Sequence, residues 1–105
     1  MGHLNWDVCI VAGPSGVGKS TLSYPLARRF DVPIVEVDDL FKAVQSMTLP
    51  VDQPLIHYWE TLPATFEMTS SEILNKHISV CRAMEPAIKS VIHNHEETRL
   101  PIIME

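Results

Sequence analysis

The sequence predicts an α/β fold in which parallel strands alternate with helices. Three observations carry that expectation. Val8-Cys9-Ile10-Val11-Ala12 is an uninterrupted apolar run rich in β-branched residues, the pattern of a strand covered on both faces. A glycine-rich turn follows it, and then apolar residues at helical spacing. Two further apolar runs, 32–37 and 100–104, each come after a helical stretch, so the order reads β-α-β-α-β.

Between the first run and the first helix stands Gly13-Pro14-Ser15-Gly16-Val17-Gly18-Lys19-Ser20, followed by Thr21. It fits the Walker A pattern of Gly, four residues, then Gly-Lys-Ser/Thr. The residue types follow from the chemistry of a triphosphate, which crowds several anionic oxygens into a small volume. Backbone N–H groups surround such an anion only where the chain bends tightly and no Cβ intrudes, which the glycines permit. Lys19 would place an ammonium between the β- and γ-phosphates, and the Ser20 hydroxyl would be a ligand of Mg²⁺. The helix that starts here adds free N–H groups and the positive end of its dipole.

The first helix is expected over 19–30, with Leu22, Leu26, Ala27 and Phe30 as its buried stripe. Pro25 removes one backbone hydrogen bond inside it and should bend it. Arg28 and Arg29 suit the negative end of its dipole. Val32 to Val37 reads as the second strand, Glu36 being its one charged member. Asp38 and Asp39 then fall at the carboxyl end of a strand, the edge of a parallel sheet where ligands bind and where the glycine loop also lies. One of the two would cap the helix marked by Leu40, Phe41, Val44 and Met47, and one would serve as a catalytic carboxylate.

From Thr48 to Met68 the pattern is irregular and broken by Pro50, Pro54 and Pro63. Asp52 is a candidate cap for a short helix through Leu55, Ile56 and Trp59. The apolar residues here either cover the core or line a substrate pocket, with His57 and Tyr58 as candidate substrate contacts. Thr69-Ser70-Ser71-Glu72 has the form of a capping box. A helix to about His95 should follow, burying Ile73 or Leu74, Ile78, Cys81, Met84, Ile88, Val91 and Ile92, with a kink at Pro86. The 93–97 stretch reads as a polar helix end rather than a metal site. Leu100 to Met104 reads as the third strand, and Glu105 follows it.

The chain has 105 residues, 46% of them apolar and 20% charged, the mix expected of one globular domain. Its net charge of −5 argues against broad electrostatic binding to nucleic acid or anionic membranes. Attraction for a nucleotide must therefore arise locally, from the loop amides and Lys19. Cys9 and Cys81 form no ligand or redox motif and read as core thiols in a reducing compartment. With no membrane-length apolar stretch and no secretion-signal pattern, a cytoplasmic location is expected.

The glycine loop through Thr21, then Val37-Asp38-Asp39-Leu40, a long helix and a strand ending in Glu105, resembles the P-loop small-molecule kinases. The chain is most similar to the 2-phosphoglycerate kinase-like proteins, and more distantly to chloramphenicol phosphotransferase and the zeta-type toxins. The resemblance implies a three-layer P-loop NTPase-type fold with strand order 2-3-1. It implies ATP and Mg²⁺ as cofactors and a small hydroxylated molecule as acceptor. It gives Asp38, with Asp39 as substitute, the task of orienting or deprotonating the acceptor hydroxyl, and puts Glu105 near the Mg²⁺ shell.

The 105 residues correspond to the front part of such a kinase, without its arginine-bearing lid or base-holding loop. The chain therefore reads as a single nucleotide-binding domain, the N-terminal part of a longer kinase. The alternative is a nucleotide-binding module without turnover. The same topology leaves the first strand as an open apolar edge, so self-association through it is expected.

Overall fold

The computed structural model describes residues 4–14, 16–63 and 66–105. Ser15 of the glycine loop lies outside the described residues. The elements in chain order are β1 (Val8–Ile10), α1 (Lys19–Phe30), β2 (Ile34–Val35), α2 (Val37–Met47), α3 (Tyr58–Thr61), α4 (Ser70–Thr98) and β3 (Ile102–Met104). The chain is α/β, and its strands form one parallel sheet of order β1-β3-β2. The chain divides into two compact units, Met1–Asp39 with Lys89–Glu105, and Leu40–Ile88.

The first unit is built on β3. Ile102, Ile103 and Met104 are 0%, 1% and 2% exposed, which makes this strand the centre of the core. Its register sets Ile103 against Cys9 on one side and Ile34 on the other. Backbone bonds tie it down at both ends: the Ile102 N–H donates to the Asp7 carbonyl and the Glu105 N–H to the Val35 carbonyl. Among the described residues β1 pairs with β3 alone and is an edge strand. That is why its apolar run, expected to be covered on both faces, is only half-buried, with Ile10 at 61% exposure. Each of the three strands is shorter than its apolar run, because the flanking residues diverge into the turns that lead to the helices.

α1 has the expected bounds and lies against β2 and β3. Its buried face differs from the expected stripe. Ser23 and Ala27, one turn apart, are buried, whereas Leu22 is 55% exposed. Small side chains let the helix approach the sheet closely, and the Ser23 hydroxyl finds a partner there. α1 ends at Asp31, which takes a left-handed conformation with φ 53°, and α4 is followed by a second non-glycine residue in that region, Arg99 at φ 57°. Arg99 pairs with Asp7 at 3.1 Å. Trp6 meets the edge of the Phe30 ring, centroids 5.8 Å apart.

Among the described residues of the second unit, Ile56, Val80 and Met84 are the buried apolar ones. The expected helix capped by Asp52 is instead a series of turns over 51–57, closed by the Asp52 and Gln53 N–H groups donating to the Leu49 carbonyl, before the single turn of α3. His57, 4% exposed, is no open substrate contact: its Nδ1 faces the Glu60 carboxylate, and its Nε2 lies 2.8 Å from the Thr48 hydroxyl. The capping box forms as the sequence predicts. The Glu72 N–H donates to Thr69 Oγ1 at 3.2 Å, and the Thr69 N–H donates back to the Glu72 carboxylate at 3.3 Å. α4 runs unbroken through Pro86. Its buried positions are Val80 and Met84, while Ile73, Leu74, Ile78 and Cys81 from the expected stripe are exposed.

Candidate functional site

The loop between β1 and α1 is shaped by its glycines. Gly16 and Gly18 take φ of 85° and 93°, conformations that an L side chain resists. A Cβ would meet nothing within 4 Å at Gly16, so the requirement there is the backbone angle and not space. Gly18 is the N-cap of α1, and its carbonyl accepts the first helical bond, from the Leu22 N–H at 3.2 Å. Glycine brings no side-chain cap of its own to that position, where the first N–H groups of α1 lie. Lys19 arches back over the loop, and its Nζ donates to the Gly13 carbonyl at 2.6 Å. Pro14, Val17 and Thr21 complete the described part of the loop, and all three are exposed.

Glu105 meets this loop from the end of the central strand. One carboxylate oxygen accepts the Ser20 hydroxyl at 2.7 Å, and the other accepts the Ser23 hydroxyl at 2.5 Å. These bonds, Ser23 first and then Ser20, hold the Glu105 carboxyl below its ordinary pKa against an opposing cost of burial, and the Lys19 charge makes the smallest contribution in the same direction as the bonds. The Glu105 carbonyl also accepts the Val37 N–H at 2.7 Å, which fixes the start of α2 beside the end of β3. Lys19, Ser20 and Glu105, named from the sequence as site residues, thus come together at one edge of the sheet. Ser23 joins them. It was not singled out from the sequence, although its place three residues after Ser20 puts both hydroxyls on one helix face.

The aspartates are placed differently from the expectation. α2 begins at Val37, so Asp38 and Asp39 lie in its first turn rather than ahead of it, where their charges suit the positive end of the dipole. Neither is the residue before the helix. That position belongs to Glu36, whose carbonyl accepts the Asp39 N–H at 3.1 Å and whose carboxylate accepts the Tyr24 hydroxyl at 2.8 Å. The Tyr24–Glu36 bond joins the helix that carries Lys19 and Ser20 to the strand end that leads to the aspartates. It is the main cause that raises the Tyr24 pKa, with burial and the charges of Glu36, Glu105 and Asp39 adding to it. Glu36 was visible in the sequence as the lone charge of an apolar strand, the one signal that could have marked it.

No family model, curated protein or solved structure matches this chain.

Asp39 and Glu36 are among the residues that line an open groove of about 430 Å³ along α1 and β2. Asp38 is exposed and does not line it. Among the described residues there is no group of three or more His, Cys, Asp or Glu side chains placed to hold a metal, and no helix is long and apolar enough to cross a membrane. His93 pairs with Glu97 at 3.0 Å, and His95 Nδ1 donates to the Leu100 carbonyl at 2.7 Å, so both serve the end of α4.

Proposed function

We propose that the chain binds ATP at the loop from Gly13 to Thr21 and belongs to a cytoplasmic enzyme that transfers the γ-phosphoryl group to a hydroxyl of a small molecule, on a P-loop NTPase-type fold. The observation that carries this reading is the meeting of Ser20 and Glu105 oxygens at 2.7 Å beside Lys19 and the N-terminal amides of α1. Mg²⁺ takes few protein oxygens and fills its shell with water and phosphate oxygens, so a hydroxyl and a carboxylate side by side are a donor set that fits it. Ser20 and Glu105 would hold that ion, which when bound neutralises charge on the β- and γ-phosphate oxygens.

The chain's own residues supply the rest. The loop amides and the Lys19 ammonium gather the phosphates and meet the charge that develops on the transferred group. Asp38 or Asp39, on the first turn of α2, orients the acceptor hydroxyl and takes its proton as the new oxygen–phosphorus bond forms. The bond to the ADP oxygen breaks in line on the opposite side. Groove lining favours Asp39 for this task over Asp38, the reverse of what the resemblance implies.

Binding of a labelled ATP analogue tests the nucleotide half. Lys19→Ala should weaken it at least tenfold, ~1.4 kcal/mol, the scale of one charge-assisted contact. Equal affinity in the two proteins would refute the assignment. Product formation then separates a kinase from a nucleotide-binding module. Asp39→Asn should lower kcat strongly and leave ATP affinity within about threefold.

We also propose that the chain self-associates through β1, whose outer edge carries no charge, proline or bulge and ends in the exposed Ile10. Ile10→Lys should abolish a concentration-dependent rise in sedimentation coefficient. A wild-type protein that stays monomeric across the series would overturn that proposal.

A further inference from the structure

The groove along α1 and β2 has a chemistry that the phosphate loop does not use. Its lining includes the apolar Ala27, Val32 and Ile34 together with Tyr24. The charged groups that line it are Arg28, Asp31, Glu36 and Asp39, one cation against three carboxylates. Its volume, about 430 Å³, lies in the range of small-molecule sites. The end with Tyr24 and Glu36 adjoins the candidate phosphate site. Tyr24 lies one helical turn after Ser20, and Glu36 directly precedes Val37, whose N–H holds the Glu105 carbonyl at 2.7 Å. The far end lies at the C-terminus of α1, where the dipole is negative and favours a cation. Such surroundings oppose an anionic ligand. A phosphorylated acid is held by clustered Arg and Lys side chains or by a helix N-terminus; this groove offers one arginine, and the first turn of α2 that reaches it already carries the charges of Asp38 and Asp39.

We propose that this groove is the acceptor subsite and that it takes a hydroxylated amine, an amino sugar or amino alcohol with a positive charge, rather than a phosphorylated acid. The inference rests on the kinase reading for the role of the hydroxyl. Glu36 and Asp31 meet the ammonium and the ring hydroxyls, the Tyr24 ring covers an apolar face of the ligand, and Asp39 is left for the hydroxyl that reacts. Glu36 is then a specificity residue whose distance from the loop is set by Tyr24.

The test is binding of glucosamine, glucose and 2-phosphoglycerate to the full chain, followed by backbone amide shifts and titrated to affinity. Glucosamine should shift the amides of 24–36 and bind at least about fivefold more tightly than glucose, the scale of two exposed charge pairs. 2-Phosphoglycerate should leave those amides unmoved. The double variant Glu36→Gln/Asp31→Asn keeps the shapes and removes two charges, and asparagine tolerates the left-handed backbone at 31. It should bring the glucosamine-to-glucose ratio close to one while its spectrum stays dispersed. If 2-phosphoglycerate binds at the groove, or if the double variant keeps the preference for glucosamine, the proposal fails. ATP-analogue affinity measured on the same samples reports on the phosphate loop alone. Its loss would strike the kinase reading, whereas intact nucleotide binding with no amine preference would strike only the groove.

Discussion

Within each of the two compact units the side-chain hydrogen bonds have a different reach. In the unit that holds the sheet, Ser20 and Ser23 bond to a carboxylate 85 and 82 residues away. In the unit over 40–88, side-chain bonds are short in sequence: Gln45 to Ile56 spans 11 residues, Thr48 to His57 spans 9, and Thr69 to Glu72 spans 3. Contacts of the first kind exist only once the sheet has assembled, because loop closure must precede them. Contacts of the second kind need only a turn or a helix end. The Ser20–Glu105–Ser23 part of the candidate site is of the first kind, whereas the Lys19–Gly13 bond spans 6 residues, so the carboxylate cluster should stand or fall with β3.

The largest effect is expected at the centre of the sheet. Ile103→Ala removes buried methyl groups from the strand that registers with both neighbours and should cost about 2–5 kcal/mol in urea unfolding. ATP-analogue binding should be lost in parallel as the sheet melts. A loss below about 1 kcal/mol would mean that β3 does not organise this unit.

A smaller effect is expected from a local bond. Thr69→Ala removes the cap of α4 and should cost about 1 kcal/mol. Amide exchange should quicken in the first turn of α4 and stay unchanged in Ile102–Met104. Equal quickening in both places would erase the distinction between the units.

The smallest effect is a pH dependence confined to the long-range cluster. The Glu105 pKa is lowered by folding, so its contribution to stability is present above the ordinary value of 4.5 and is lost as pH falls through the lowered value of the folded state. Tyr24 has the opposite sense. Its pKa is raised, so its contribution is present below the ordinary value of 10.0 and is lost as pH rises through the folded value. Thermal unfolding across pH 2–5 should show a slope for the wild type that Glu105→Gln flattens. A slope unchanged in that variant would place the acid sensitivity elsewhere.

The same division explains what the sequence made legible. Local signals are legible: the bounds of α1, the capping box at Thr69 and Glu72, and the tight bend that the loop glycines permit. The sheet order and the place of Glu105 came through resemblance, because no local pattern says which strand becomes central. Val8-Cys9-Ile10 and Ile102-Ile103-Met104 look alike as apolar runs, yet one is an edge and the other is buried on both faces. The α1 stripe was assigned by apolarity, whereas closeness to the sheet and a partner for Glu105 selected Ser23 and Ala27. The sequence places the aspartates at a strand end, whereas the helix starts before them, since a carboxylate is welcome both as a cap and in the first turn. Tyr24 and Glu36 escaped because their bond joins two elements and follows no periodicity.

The left-handed residues that follow α1 and α4 have a consequence for engineering the chain. Asp31 and Arg99 occupy conformations that cost an L residue about 1–2 kcal/mol and that glycine adopts freely, while glycine adds about 0.5–1 kcal/mol of disorder to the unfolded chain. The balance leaves each helix end short of its optimum, the usual condition of natural proteins held only above a threshold of stability. Asp31 is the position with less to lose, since glycine at 99 would also remove the pairing with Asp7. A chain strengthened at 31 would tolerate more substitutions in its sheet, and it would do so with one fewer carboxylate in the groove. Ruggedness and acceptor choice therefore meet in a single residue.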